Sequence, residues 1–338
     1  MTLRVLLACH AGQGVGLGHL TRSLVAARAL RRHLQADVHL LIQSEPLQRD
    51  DLVAFPHLFV PPDADLGHAL EMRRQALAAD VMLLDLHPQR PPAALATLLQ
   101  QWRAAGCRLI AIDGLLAHRP WLDLIFLPSF RFVPPPDLQA GAPIRFGWDC
   151  LLLEPLPSGH RRPKGTEVLV LTGGSDATGL GQDWPAELDR QLPPWTHLHW
   201  VTGPFAAPPV LPAAPRLAGF EQHVAPAGLG PLMRRASFAV TVFGVSFFEL
   251  LQHGVPTVVF SPYGDKDQPE LEALQAEELA WIARDHQDAT EQLARLMADA
   301  PLAAAMSQRA RDRLGRPGGE NLAHAIAELM RSTCPRAS

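Results

Sequence analysis

The junction at residues 3–23 constrains this chain more than any other stretch. Residues 3–9 (LRVLLAC) form a short, almost continuous apolar run, the pattern of a strand buried on both faces of a parallel sheet. GQGVGLGHLTRS (12–23) follows, with glycine at every second position for four positions and a histidine directly behind the last. Beyond it Leu20, Leu24, Ala27 and Leu34 recur at helical spacing, with Arg22, Arg28, Arg31 and Arg32 mostly off that stripe. Strand, glycine loop and helix make a βα unit. Glycine in such a loop permits positive φ and lets a ligand lie against backbone N–H groups at the positive end of the helix, so an anionic or polar ligand is expected there.

The alternation continues. Apolar runs at 38–42, 81–86 and 108–113 read as strands, separated by helical stretches near 66–79 and near 91–105, the latter opened by Pro91-Pro92; 124–128 and 144–146 read as short closing strands. Residues 155–164 (PLPSGHRRPK) are polar, basic and proline-bearing, and mark a linker. A second series follows, with strands at 168–171, 197–202, 238–243 and 257–261 and a largely helical tail from Ala289. Strands alternating with helices of 10–15 residues predict right-handed βαβ units and parallel sheets. At 338 residues the chain exceeds one ordinary core. Two Rossmann-like α/β domains are expected, 1–155 and 156–338, facing a central cleft, with the C-terminal helices packing back on the first.

Bulk properties narrow the partners. With 47% hydrophobic and 19% charged residues and a net charge of −4, the chain is a globular protein without the basic excess of a nucleic-acid binder. No apolar run approaches the ~20 residues of a membrane span, although peripheral membrane contact stays open. Cys9, Cys107, Cys150 and Cys334 stand far apart, which suggests neither a disulfide framework nor a zinc knuckle and fits the cytoplasm. No cofactor is called for.

Candidate chemistry starts at His19. A histidine in the first turn of a helix feels a dipole that disfavours imidazolium, which keeps a ring nitrogen available as a general base; the alternative is a histidine that caps or packs beneath the loop. Gly173-Gly174-Ser175-Asp176 repeats the glycine turn after the first strand of the second domain. Gly244-Val245-Ser246 does so after a later strand, and Ser246 with Glu249 has the spacing of a capping box. The other reading is that Gly244, Val245 and Ser246 cradle a diphosphate while Glu249 reaches ribose hydroxyls. Asp63-Ala64-Asp65 and Asp265-Lys266-Asp267 resemble metal-binding DxD pairs but fit solvated loop acids better. His197 and His199 share one strand face without an apparent third ligand, and the pairs Arg31-Arg32, Arg73-Arg74 and Arg234-Arg235 fit solvated helix faces.

Several stretches carry a resemblance. GVGLGHLTRSLVAARAL (14–30), with its GxGHxxR opening, is similar to the PseG/SpsG-like nucleotide-sugar proteins, relatives of MurG-type glycosyltransferases of the GT-B fold. In the same order follow LLDL near Asp85, LIAIDG ending at Asp113-Gly114, FGWDCLLLEP (146–155), VLVLTGGSDATGL (168–180), FGVSFFELLQHGVPTVVF (243–260), Asp267-Gln268 and GRPGGENLAHAI (315–326).

This resemblance implies a UDP-sugar held mainly by the second domain, in surface-glycan or nonulosonic-acid-type sugar biosynthesis. The diphosphate would lie on Gly173, Gly174, Ser175, Gly244, Val245 and Ser246, with ribose on Glu249. His19 would act as base toward water or an acceptor hydroxyl. Gly16, Gly18 and Arg22 would line the sugar and phosphate side, and Asp267 and Gln268 would meet sugar hydroxyls, with no metal. Val245 and two phenylalanines replace the small polar residues usual in that family, and Asp267 stands where asparagine is common. A non-catalytic nucleotide-sugar-binding protein is the alternative. A dinucleotide oxidoreductase ranks last, because Gln43-Ser44 stands where an acidic ribose ligand would end the second strand.

Overall fold

The computed structural model describes residues 2–12, 14–157, 163–315 and 318–332. The chain divides into two compact units, Met1–Glu154 with Arg316–Ser338, and Pro155–Gly315. Part of the linker stretch, residues 316–317 and Cys334 lie outside the described residues.

In the first unit, β1 (Arg4–His10) leads into α1 (Gly18–Leu34), then β2 (Asp37–Gln43), β3 (His57–Val60), α2 (Leu66–Leu77), β4 (Val81–Asp85), α3 (Leu95–Ala104), β5 (Arg108–Ile112), β6 (Leu124–Phe126) and β7 (Ile144–Arg145). The strands form one parallel sheet in the order β3-β2-β1-β4-β5-β6-β7. Alternate residues of β1 serve opposite faces: Val5, Leu7 and Cys9 pack with Leu20, Leu24 and Leu30 of α1, while Leu6 and Ala8 pack with Leu66, Leu70 and Leu99 of α2 and α3. Covering both faces is what makes a near-continuous apolar strand the stable choice. Helix α3 starts at Leu95, after Ala94 in a left-handed conformation, so Pro91-Pro92 belong to the preceding loop and do not open the helix.

The second unit runs β8 (Glu167–Leu171), α4 (Trp184–Gln191), β9 (His197–Thr202), β10 (Gly219–Val224), α5 (Gly230–Arg235), β11 (Phe238–Val242), α6 (Val245–Gln252), β12 (Thr257–Phe260), α7 (Gln268–Ala276), β13 (Trp281–Ile282), α8 (His286–Ala298) and α9 (Ala300–Arg313). Its sheet is also parallel, ordered β10-β9-β8-β11-β12-β13. Trp184 and Trp200 meet edge to face in its core, and the Trp184 indole donates to Thr290 Oγ1 at 2.9 Å.

The last helix, α10 (Gly318–Arg331), belongs to the first unit. Its Leu322, Ala323 and Ile326 join the core built on α1, Asn321 Nδ2 donates to the Asp149 carbonyl at 3.1 Å, and Arg145 Nη2 pairs with Glu328 at 2.6 Å. The WDC and GGEN stretches are therefore packing partners of each other. Among the described residues, no helix is long and apolar enough to cross a membrane.

Candidate active site

Strand order fixes where ligands can bind in each unit. In the first sheet the chain moves outward from β1 through β2 and β3, then returns to the other side of β1 with β4. The loops leaving β1 and β4 thus diverge at a switch point, the place where open parallel sheets present a crevice beyond their carboxyl ends. Ala11-Gly12 leave β1 there and Leu86-His87 leave β4.

The glycine loop is a tight reversal closed on itself. Gly12 and Gly16 exchange hydrogen bonds at 3.1 and 2.7 Å, and Gly12, Gly14 and Gly16 take φ of 116°, 78° and 78°. Those angles are the reason for glycine at these positions; a Cβ would hold them only with strain. Helix α1 begins at Gly18, directly behind the turn, and places His19 in its first turn.

Asp85, at the end of β4 and with no exposed surface, organises the site. Its Oδ1 lies 2.7 Å from His19 Nδ1 and 2.6 Å from Arg22 Nη2; its Oδ2 accepts from Arg22 Nε at 2.7 Å and from Ser23 Oγ at 3.3 Å. Arg22 Nη1 continues to Asp113, which follows β5. Burial works against an ionised Asp85, yet the charge and hydrogen bonds of Arg22 outweigh it and hold the carboxyl below its ordinary range. Burial likewise works against the guanidinium, and the two carboxylates outweigh it and raise Arg22.

Arg22 Nη2 also lies 2.8 Å from His19 Nδ1, so this nitrogen faces one carboxylate and one guanidinium. We assign the proton to Nδ1. A ring lone pair 2.7 Å from a full negative charge is the costlier contact, since the guanidinium already directs its hydrogens at the carboxylates. Nε2 is then the nitrogen that carries a lone pair.

A second histidine is held neutral beside this group. His10, ending β1, accepts the His87 amide at Nδ1 (2.8 Å) and donates from Nε2 to Gln43 Oε1 (3.0 Å). Burial is the main reason its pKa is lowered to about 4, against the pull of the Gln43 hydrogen bond. The His87 ring lies 5.8 Å from that of His19. Burial pushes the thiols of Cys9, Cys107 and Cys150 up to about 12, which makes them poor nucleophiles.

The second unit repeats the topology. Its chain moves outward from β8 through β9 and β10 and returns beside β8 with β11, so residues 172–176 and 243–246 flank its switch point. Gly173 takes φ 84°, and Asp176 accepts from the amides of Leu180 and Gly181 at 3.0 and 2.8 Å, which shapes the turn containing Gly174 and Ser175. A Cβ on Gly203 would collide with the carbonyls of Gly173 and Gly174, and Phe205 N–H donates to the latter at 2.9 Å. The turn is thereby braced from β9.

Helix α6 has Gly244 as its N-cap and makes no side-chain cap bond there. Ser246 is the second helical residue and Glu249 the fifth, so the capping box expected from S-x-x-E does not form; a box needs the serine one position ahead of the helix. After β12, Asp267 accepts from Ser261 Oγ at 2.6 Å, and Gln268, opening α7, donates to Glu272 at 3.1 Å. The strands β8, β11 and β12 are neighbours, so the turns bearing Gly173, Gly174, Ser175, Gly244, Val245, Ser246, Asp267 and Gln268 share one end of that sheet.

The first unit likewise brings Gly16, Gly18, His19 and Arg22 together. Arg22, however, lies inward, with Nε, Nη1 and Nη2 all engaged by Asp85 and Asp113. Any effect it has on a ligand passes through Asp85 and His19. The roles of Asp85, Asp113, His10 and Gln43 are additions by the structure. Their signal was an acidic or polar residue closing an otherwise apolar strand.

Residues of the DxD-like and arginine pairs find local partners. Asp65 caps α2 by accepting from His68 N–H, Arg74 pairs with Glu71, and Arg31 lies over the Phe55 ring at 4.3 Å. His199 does have neighbouring ligand-type groups, Glu221 and His223 on β10, which the spacing of His197 and His199 did not reveal.

No protein-family model and no curated protein sequence matches the chain. Solved structures do. MurG of Acinetobacter baumannii superposes with a TM-score of 0.63 at 14% identity over 96% of this chain and 99% of that one. UGT2 of Phytolacca americana, solved with UDP-2-fluoro-glucose and pterostilbene, gives 0.64 at 14% over 97% and 99%. SnogD of Streptomyces nogalater gives 0.61 at 15% over 97% and 100%. The fold of the chain is the two-sheet α/β fold of the GT-B glycosyltransferases.

Proposed function

We propose that this protein is an inverting enzyme of the glycosyltransferase superfamily that acts on a UDP-sugar, transferring the glycosyl group to water or to an acceptor hydroxyl. The observation that carries this reading is the buried Asp85 holding His19 Nδ1 at 2.7 Å, at the switch point of the first sheet. Asp85 fixes the ring and stabilises the imidazolium that forms when Nε2 takes a proton, the logic of an aspartate–histidine base.

The chemistry follows from that base. Nε2 accepts the proton of the attacking oxygen, a new bond forms from that oxygen to the anomeric carbon, and the bond from the anomeric carbon to the diphosphate breaks with inversion. UDP leaves with the electron pair. The turns of the second unit suit a diphosphate by themselves: the amides of Gly173, Gly174, Ser175, Val245 and Ser246 and the hydroxyls of Ser175 and Ser246 are donors for it. One helix end contributes only about 0.3–1 kcal/mol to an exposed anion, so two turns at one sheet end suit a nucleotide better than either alone. Glu249 serves ribose hydroxyls, and Gly16, Gly18, Asp267 and Gln268 the sugar; Arg22 is a positioning residue for Asp85 and His19. The UDP-sugar bound to Phytolacca UGT2 supports the choice of nucleotide.

A panel of UDP-sugars, incubated with purified protein and no acceptor and followed by chromatography of UDP, tests the reading. Rapid UDP release from one member identifies water as the acceptor, and slow release stimulated by a cell extract identifies a transferase. Protection by UDP against unfolding without release from any sugar nucleotide would replace the enzyme by a binding protein.

A further inference from the structure

We infer that the second unit carries a zinc-class divalent metal site, built by His199 on β9 and by Glu221 and His223 on β10, with Glu167 behind it.

Three strands bring these groups to one place. In the parallel register His199 stands opposite Glu221, and His223 is two residues further along β10 on the same face. His199 Nδ1 lies 3.0 Å from His223 Nε2 and 3.6 Å from Glu221 Oε2, and the last two are 3.9 Å apart. A point about 2 Å from all three atoms therefore exists, the separation that zinc keeps from imidazole nitrogen and carboxylate oxygen. Two imidazoles and one carboxylate suit zinc and its first-row neighbours far better than magnesium or calcium, which prefer oxygen alone.

The group behind the site makes this more than a cluster. His199 Nε2 contacts Glu167 Oε2 on β8. With Nε2–H donating to that carboxylate, Nδ1 bears the lone pair and points at His223 and Glu221. A carboxylate on the far nitrogen of a ligating histidine is the recurring arrangement that fixes tautomer and ring orientation in metal sites. His199 is almost wholly buried and so preset, His223 is partly exposed, and Glu221 is exposed at 59% of its side chain, which leaves an entry path. Arg235 Nη2 lies 3.8 Å from the same Glu167 carboxylate. Without metal, the His223 Nε2–H donates to His199 Nδ1; on binding, the His223 proton shifts to its Nδ1 and both facing nitrogens ligate.

Three protein ligands leave a fourth position for water or an exogenous group. The strand so tied, β10, is the edge of its sheet, paired on one side only. The metal would fasten that edge to β9 and raise the unit's resistance to unfolding, independently of any sugar nucleotide.

Untagged protein, stripped with chelator, is titrated with Zn²⁺ by calorimetry and with Co²⁺ by visible absorption. The expected result is one equivalent bound with a micromolar or tighter Kd, a Co²⁺ spectrum of a four-coordinate site, and a rise in Tm. Glu167→Gln should weaken Zn²⁺ by ~10–100-fold, as loss of an outer carboxylate does. His223→Ala and Glu221→Gln should weaken it at least as much, and His197→Ala, on the same strand face, should leave it unchanged. Circular dichroism checks folding; Glu221→Gln changes an exposed side chain and keeps the test decisive if a histidine variant misfolds. Wild-type binding no tighter than millimolar, or unchanged binding in His199→Ala/His223→Ala, would overturn the site.

Discussion

His10 shows how one buried side chain records its surroundings. It ends a strand, and both ring nitrogens are used, one by the His87 amide and the other by Gln43, whose own amide nitrogen reaches the Pro61, Pro62 and Ala64 carbonyls at 3.1–3.4 Å. A proton added to this ring would find an amide hydrogen already there. The fold keeps His10 neutral down to about pH 4, whereas the unfolded chain protonates it near its ordinary 6.5. Between those values the unfolded state binds more protons. The contribution of His10 to stability is thus complete above pH 6.5 and lost as pH falls through about 4. Denaturant titrations at pH 7.5 and 4.5 should show a smaller drop for His10→Asn than for wild type; an equal drop would mean the ring is not held neutral. Asp85 titrates lower still: with its pKa depressed, its contribution is present above the ordinary carboxylate value and lost only in stronger acid.

Helix α6 separates structural from ligand-binding use of a serine. Because Gly244 is the N-cap, Ser246→Ala removes no cap, and stability should stay within about 0.5 kcal/mol, against the ~1 kcal/mol typical of a lost serine cap. UDP affinity should fall severalfold in the same variant. A fall in Tm without loss of UDP affinity would restore the capping role. The strands read at 81–86 and 108–113 and the helix start at Gly18 are legible from apolar runs and glycine placement, since both faces of the sheets are covered. Strands β3, β10 and β13 are not: all three lie at sheet edges, HLFV and WI are only 4 and 2 residues long, and GFEQHV is partly exposed and lacks the continuous apolar run of a central strand. Edge position also hid the Glu221–His223 pair, whose significance depends on which strand lies beside it. The burial of Arg22 is hidden from the sequence for a related reason. Helical spacing put it off the apolar stripe, while a buried carboxylate on β4 draws it inward, and no periodicity reports a partner 63 residues away.

Across the molecule, two units of the same βα design have been given different equipment. The first carries an ionised aspartate, a histidine and a glycine reversal at its switch point; the second carries glycine turns, hydroxyls and helix starts at its own. The proposed chemistry gives acid–base work to the first set and anion binding to the second, so the two should be separable by mutation. For the most active UDP-sugar, the decisive measurement is turnover alongside the Kd for UDP in wild type and in His19→Ala. Loss of general-base catalysis should lower kcat by ~10²–10⁴-fold while UDP affinity stays within about threefold. Turnover unaffected by the substitution, or affinity and turnover falling together, would contradict His19 as the base.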